Sequence, residues 1–214
     1  MRIPLPLPID HRIDALVASL RAHPALVLKA PPGAGKTTRV PPALLDGGLI
    51  AGGRGITVLE PRRLAARAAA TRVAAERGGR LGGEVGYRVR FESAVSEHTR
   101  LTFVTEGVLL RRLLADPLLE DTGAVVLDEF HERSVEADLA LSFLRELRET
   151  VRPDLLVVVM SATLDPSPIA RFLGGCPVLE SEGRVFGGQI EHLTDSETRP
   201  MEVRAMAAAA RLLD

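Results

Sequence analysis

One cysteine, Cys176, stands in 214 residues. No disulfide framework and no Cys-rich metal site can form from it, and a reducing compartment suits it. Tryptophan is absent and aromatic residues make up only 3%, so a base-stacking platform is not expected and any contact with nucleic acid should run through the backbone. No apolar run approaches the roughly 20 residues of a membrane span. The amino-terminal stretch MRIPLPLPIDHRID is interrupted by three prolines and has no signal-peptide apolar region. The expectation is a soluble cytoplasmic monomer. Lysine is almost missing as well: Lys29 and Lys36 are the only two, against 25 arginines.

Apolar residues make up 46%, enough for a buried core. The net charge is −1, which by itself gives no reason to expect nucleic acid as a partner. The distribution says more. Residues 61–112 carry eleven arginines against five glutamates, and residues 116–149 carry ten acids against three arginines. An Arg-rich solvated helix face would account for the first block as readily as a ligand would.

Apolar runs and helical runs alternate. Strands are expected at 25–30, 55–60, 84–92, 99–105, 124–130 and 154–163, with a last short one at PVLE. Helices are expected from Lys36 to a stop at Gly47, over 62–78, and in EGVLLRRLLAD, SVEADLALSFLRELRETV and PSPIARFLGG. Such alternation implies an α/β fold, a mostly parallel sheet with helices on both faces, whose ligand lies at the carboxyl ends of the strands. The three most unusual clusters fall at such ends, after Ala30, Leu127 and Met160. Past residue 183 the pattern weakens into a linker and a terminal helix, MEVRAMAAAARLLD.

The stretch APPGAGKTT follows a strand and opens a helix, the arrangement of a phosphate-binding P-loop. Gly33 and Gly35 let the backbone curl so that N–H groups, including that of Ala34, point at phosphates. Lys36 brings a point charge, Thr37 offers Mg²⁺ a hydroxyl, and Thr38 continues the first turn. At the end of VVLDEF, Asp128 suits Mg²⁺ held through water, and Glu129 can polarise an attacking water. His131 beside Glu132 invites a zinc reading, which fails because no second histidine lies four residues on.

With these residues in place the chain resembles the first RecA-like domain of a DEAH-box ATP-dependent RNA helicase. APPGAGKTT, LEPRRLAARAAATRVA, VGYRVRFE, VTEGVLLRRL, VVLDEFHERS and MSATLD follow in the family's order over about residues 20–190. DEFH, LEPRRLAAR and SEGRVF resemble the bacterial HrpB type. The resemblance implies a RecA-like domain at 1–183 and, over 184–214, a linker with the start of a second, truncated one. It implies ATP and Mg²⁺, with Thr37, Asp128 and Glu129 at the metal. His131 would couple nucleotide state to the second domain, and Ser161 and Thr163 would link hydrolysis to strand movement. Those two side chains also read as a helix N-cap ahead of DPSPIARF. Arg72 would stack on adenine, or else stand as a solvated helix arginine. Arg62, Arg63, Arg88, Arg90, Thr105, Glu106 and Gly107 would line a single-strand groove, with RNA favoured.

Gly187 departs from the family, which usually has proline there, and no second-domain arginine-finger motif is present. Such fingers are worth roughly 10³–10⁵ in rate, so weak nucleotide binding and very slow hydrolysis are expected of this polypeptide alone. A P-loop phosphotransferase for a small metabolite, or a nucleotide-gated binding module, stands as the alternative.

Overall fold

The structure is a computed structural model that describes residues 6–182 and 200–211. Its centre is an eight-stranded sheet. The strands are β1 (Ala25–Lys29), β2 (Gly55–Glu60), β3 (Val85–Val89), β4 (Glu92–Ala94), β5 (Leu101–Thr105), β6 (Thr122–Leu127), β7 (Leu156–Ser161) and β8 (Val178–Glu180). Their order across the sheet is β4-β3-β5-β2-β6-β7-β1-β8. Every pairing is parallel except β3 with β4. The central strands are buried along their whole length, because helices cover both faces.

Alternation along each strand sorts the core into two layers. Leu26, Leu28, Val58, Val126 and Val158 pack against α1 (Ile13–Ala22), α2 (Lys36–Asp46) and α3 (Arg63–Glu76). Ala25, Val27, Leu59, Val125 and Val157 pack against α4 (Glu106–Ala115), α5 (Val135–Thr150) and α6 (Ser167–Phe172). In α3 the buried positions are Ala66, Ala70, Val73 and Ala74, a helical stripe of small side chains that lets the helix lie close on β3 and β5.

Two local features differ from the sequence expectation, and a third, the helix expected from Lys36 to Gly47, meets it. Helix α1 was not expected so near the prolines; its apolar spacing, Ile13, Leu16, Val17 and Leu20, is helical, and Leu16 and Leu20 are buried. The run 84–92 is not one strand. It turns at Arg90 and Phe91, where Phe91 has φ +67°, and returns as antiparallel β4. At Gly86 a Cβ would stand 2.2 Å from the Ala94 carbonyl oxygen, so only glycine lets the return strand approach. Helix α2 passes through Pro41 and Pro42 without stopping; both are buried with Val40 and Leu44, and packing carries the turn whose N–H groups are lost.

The chain divides into two units near residue 184. The second contributes α7 (Met201–Arg211), which has no buried residue. The expected linker over 184–199, with Gly187, lies outside the described residues. Among the described residues no helix is long and apolar enough to cross a membrane.

Candidate nucleotide and nucleic-acid site

The carboxyl edge of the sheet carries the chemistry, and strand order splits it into two adjoining halves. On one side stand the ends of β1, β7 and β6; on the other, those of β2, β5 and β3.

The first half holds the P-loop. Gly33 and Gly35 have φ of +75° and +95°, a left-handed backbone open to glycine, and Gly35 is the residue from which α2 starts. A Cβ on Gly35 would meet Leu7 Cδ1 at 2.6 Å. Around the turn, Ala34 accepts a hydrogen bond from the Ile9 N–H at 3.0 Å and Ala30 donates to Ser161 at 3.0 Å, so the loop is braced on the amino-terminal segment and on β7. Lys36 is buried, and its ammonium donates to the carbonyl of Ala30 at 2.8 Å and reaches that of Pro31 at 3.4 Å. The charge is thus held at the mouth of the loop by two neutral acceptors. An anionic oxygen is a stronger partner for it than either. A cleft of about 300 Å³ opens here, lined by Gly33, Gly35, Lys36, Thr37 and Thr38 together with Arg72 and Glu129.

The end of β6 brings the carboxylates. Asp128 is buried, accepts a hydrogen bond from the Thr37 hydroxyl, and accepts another from the Glu129 N–H at 2.8 Å. Its carboxyl is pushed upward, first by burial and also by the charge of Glu129, against the Thr37 bond and the charge of Lys36. The contact of a hydroxyl with a carboxylate is a hard-oxygen pair fitted to Mg²⁺. Among the described residues no group of three or more His, Cys, Asp or Glu could hold a metal ion. Glu129 sits at φ 48°, ψ 34°, left-handed for a non-glycine residue. His131 Nδ1 lies 3.3 Å from Glu129 Oε2 and 3.4 Å from the Ala162 N–H, just after Ser161. Protonated, that nitrogen can donate to Glu129; unprotonated, it can accept from Ala162.

Arginines occupy the second half. Arg62 and Arg63 follow β2, Arg88 and Arg90 close β3, and Thr105, Glu106 and Gly107 join β5 to α4. All four arginines and Gly107 are exposed. Arg90 lies over the ring of Phe91, 4.7 Å from its centroid, and Phe91 is 89% exposed. The reversal into β4 places one exposed aromatic beside these arginines.

The sequence pattern of the DEAD/DEAH box helicase family matches residues 13–172. The chain belongs to that family. It is 42% identical over 207 residues to "ATP-dependent RNA helicase HrpB" of Escherichia coli, a match that covers 97% of this chain and 25% of the relative. It is 40% identical over 198 residues to mouse "ATP-dependent RNA helicase DHX29", covering 88% of this chain and 14% of that protein. A crystal structure of Escherichia coli DEAH/RHA helicase HrpB superposes with a TM-score of 0.88 at 42% identity, over 97% of this chain and 26% of that one. The fold is therefore that of a RecA-like helicase domain, and the chain spans about a quarter of the length of the HrpB relative it matches.

Within this helicase domain the remaining expected residues fall as follows. Arg72 reaches the cleft from α3 and is paired with Glu76 at 2.9 Å, which also takes Arg39 at 2.8 Å. Ser161 does not cap α6. Its hydroxyl accepts from the Leu164 N–H at 3.2 Å, and Asp165 accepts the Ser167 N–H at 3.0 Å. Thr163 is exposed beside them and does not cap α6 either. The sequence reading passed over Glu60. This residue ends β2, is buried, and shares a hydrogen bond with Asp128, while its Oε1 has no partner. It also passed over Glu132 as an ion-pair partner, which receives Arg62 at 3.0 Å. A carboxylate closing an otherwise apolar strand was the available signal for Glu60; nothing local in the sequence marks Glu132.

Proposed function

We propose that this chain is the ATP-binding motor domain of a nucleic-acid-stimulated ATPase, which in the complete polypeptide couples hydrolysis to movement along single-stranded RNA. One observation carries the reading: a single sheet edge sets the P-loop and the Asp128–Glu129 pair directly beside a row of exposed arginines. Lys36 and the N–H groups at the start of α2 bind the phosphates. Glu129 holds and polarises the attacking water. Thr37 and Asp128 would hold Mg²⁺, which supplies charge neutralisation on the phosphates. Arg72 clamps the open side of the cleft. Arg62, Arg63, Arg88 and Arg90 contact backbone phosphates, and Phe91 offers one base a stacking face.

The names of the relatives favour RNA over DNA. Residues 1–183 form the RecA-like domain on this reading and 184–214 lead into a second. The single buried thiol, Cys176, suits a reducing compartment. The test is phosphate release by the complete polypeptide with and without single-stranded RNA. Release is expected to rise at least several-fold with RNA, and the apparent RNA affinity to fall steeply with added salt. Absence of stimulation, with phosphate passing to a small-molecule acceptor instead, would establish a phosphotransferase.

A further inference from the structure

The two halves of the edge meet at one short turn, and the bonds across it are specific. After β6 the backbone takes a positive φ at Glu129, makes a 3-10 turn over Phe130–Glu132, and takes a positive φ again at Arg133, both at 48°. The Glu132 N–H bonds back to the Glu129 carbonyl at 2.9 Å, and Phe130 is buried beneath. Glu129 and Glu132 are thus ends of one rigid piece pivoted on an aromatic side chain. Outside the turn, Glu132 takes Arg62 at 3.0 Å. Beyond it, Ser134 donates to Glu106 at 2.6 Å and accepts from the Ala137 N–H at 2.9 Å, which pins the far end to α5. Within the turn His131 ties back to Glu129 and to the Ala162 N–H, whereas the Glu132 side chain is held by a half-exposed ion pair whose other partner is an arginine on the nucleic-acid side.

We propose that Glu132 is a positioning residue that reports occupancy of the nucleic-acid groove to Glu129: a backbone phosphate that takes Arg62 frees Glu132, and the turn then shifts the Glu129 carboxylate relative to the cleft. The inference rests on the function proposed above. The physical requirement is a two-state element biased from both sites. A turn holding two non-glycine residues at positive φ, with its Glu132 side chain in an exchangeable ion pair, is such an element. A backbone phosphodiester anion and a carboxylate compete for one guanidinium, so nucleic acid and the resting turn oppose each other.

The experiment compares Arg62→Gln, Glu132→Gln and the double variant in the complete polypeptide, by phosphate release and by single-strand RNA affinity, with nucleotide affinity and thermal melting as controls on folding. An exposed ion pair is worth up to about five-fold in an equilibrium. Glu132→Gln is therefore expected to raise RNA-free turnover by about two- to five-fold, to reduce the fold-stimulation correspondingly, and to tighten RNA binding. Arg62→Gln is expected to raise RNA-free turnover in the same way while weakening RNA binding, and the double variant to be no faster than either single one, since both remove the same bond. Wild-type RNA-free turnover in Glu132→Gln overturns the relay, as do multiplying effects in the double variant or a loss of turnover with and without RNA alike. If the unaltered protein is not stimulated by RNA at all, it is the proposed function that fails, which separates the two.

Discussion

Glu129→Gln is expected to leave nucleotide bound and to lower phosphate release by about 10²–10⁴-fold, the range removed with a general base. The amide keeps the shape of the carboxylate and the backbone at φ 48°, so the cleft and its phosphate contacts stay as they are. What is lost is the acceptor for the proton of the attacking water. Asp128 cannot take over, because its oxygens are committed to Thr37 and to the Glu129 N–H. His131 is the nearest other candidate, with Nδ1 3.3 Å from Glu129, but that nitrogen also faces the Ala162 N–H at 3.4 Å. Lys36→Ala should behave differently. It removes the buried cation at the loop mouth, so nucleotide affinity itself collapses and turnover falls with it. Measuring nucleotide dissociation constants beside phosphate release in the complete polypeptide separates the two patterns. Turnover within a few-fold of the unaltered enzyme in Glu129→Gln would assign the base to another residue.

The residues behind that contrast can be read from the sequence, because the P-loop and the acidic strand end are local. Gly33, Gly35 and Lys36 lie within four residues, and their chemistry follows from φ, N–H direction and charge. Asp128 and Glu129 are adjacent, and a strand ending in acids announces itself. Strand and helix existence was equally local, since fully buried parallel strands read as apolar runs. The misses concern partners that a segment's own periodicity does not show. Helix α1 is fixed by Leu16 and Leu20 docking into the layer with Leu26 and Leu28, so prolines upstream did not matter. The break after Val89 depends on β4 folding back over Gly86, and nothing in an alternating run reveals a partner that comes from its own continuation. Ser161 suggested a cap, yet α6 starts six residues later, where Asp165 accepts from the Ser167 N–H. The site shows the same division. Each arginine was visible as a charge, but the pairing of Arg62 with Glu132 spans 70 residues of chain and is created by β2 lying beside β6. The contact of Glu60 with Asp128 arises from the same adjacency. Periodicity finds the elements; strand order decides which of their ends meet.

Glu60→Gln is expected to make the ligand-free protein more stable, with a gain that grows with pH. Glu60 stands at the end of β2 with Asp128 beside it and Glu129 and Glu132 close by, and its carboxyl is pushed up to about 9, first by burial and then by the charges of Asp128 and Glu129. One proton is shared by the Glu60–Asp128 pair, and Glu60 is the better place for it. Asp128 receives the Thr37 hydroxyl, the Glu129 N–H and the field of Lys36, all of which favour its anion. Glu60 Oε1 has no donor at all. Between the ordinary carboxylate range and about pH 9 the folded protein therefore holds a proton that the unfolded chain has released. Stability then falls as pH rises across that window, by at most about 1.4 kcal/mol per pH unit. Glutamine offers Asp128 the same donor with no proton to lose. Allowing for relaxation around the buried pair, the gain by pH 8 is on the order of 2–3 kcal/mol, and a domain of this size converts that to roughly 4–12 °C in melting temperature. Melting curves of the two proteins without nucleotide or divalent metal should converge toward pH 5 and separate steadily to pH 9. Parallel curves, or a less stable variant at pH 8, would show that Glu60 is ionised in the folded protein and that Asp128, against the hydrogen bonds it accepts, carries the proton.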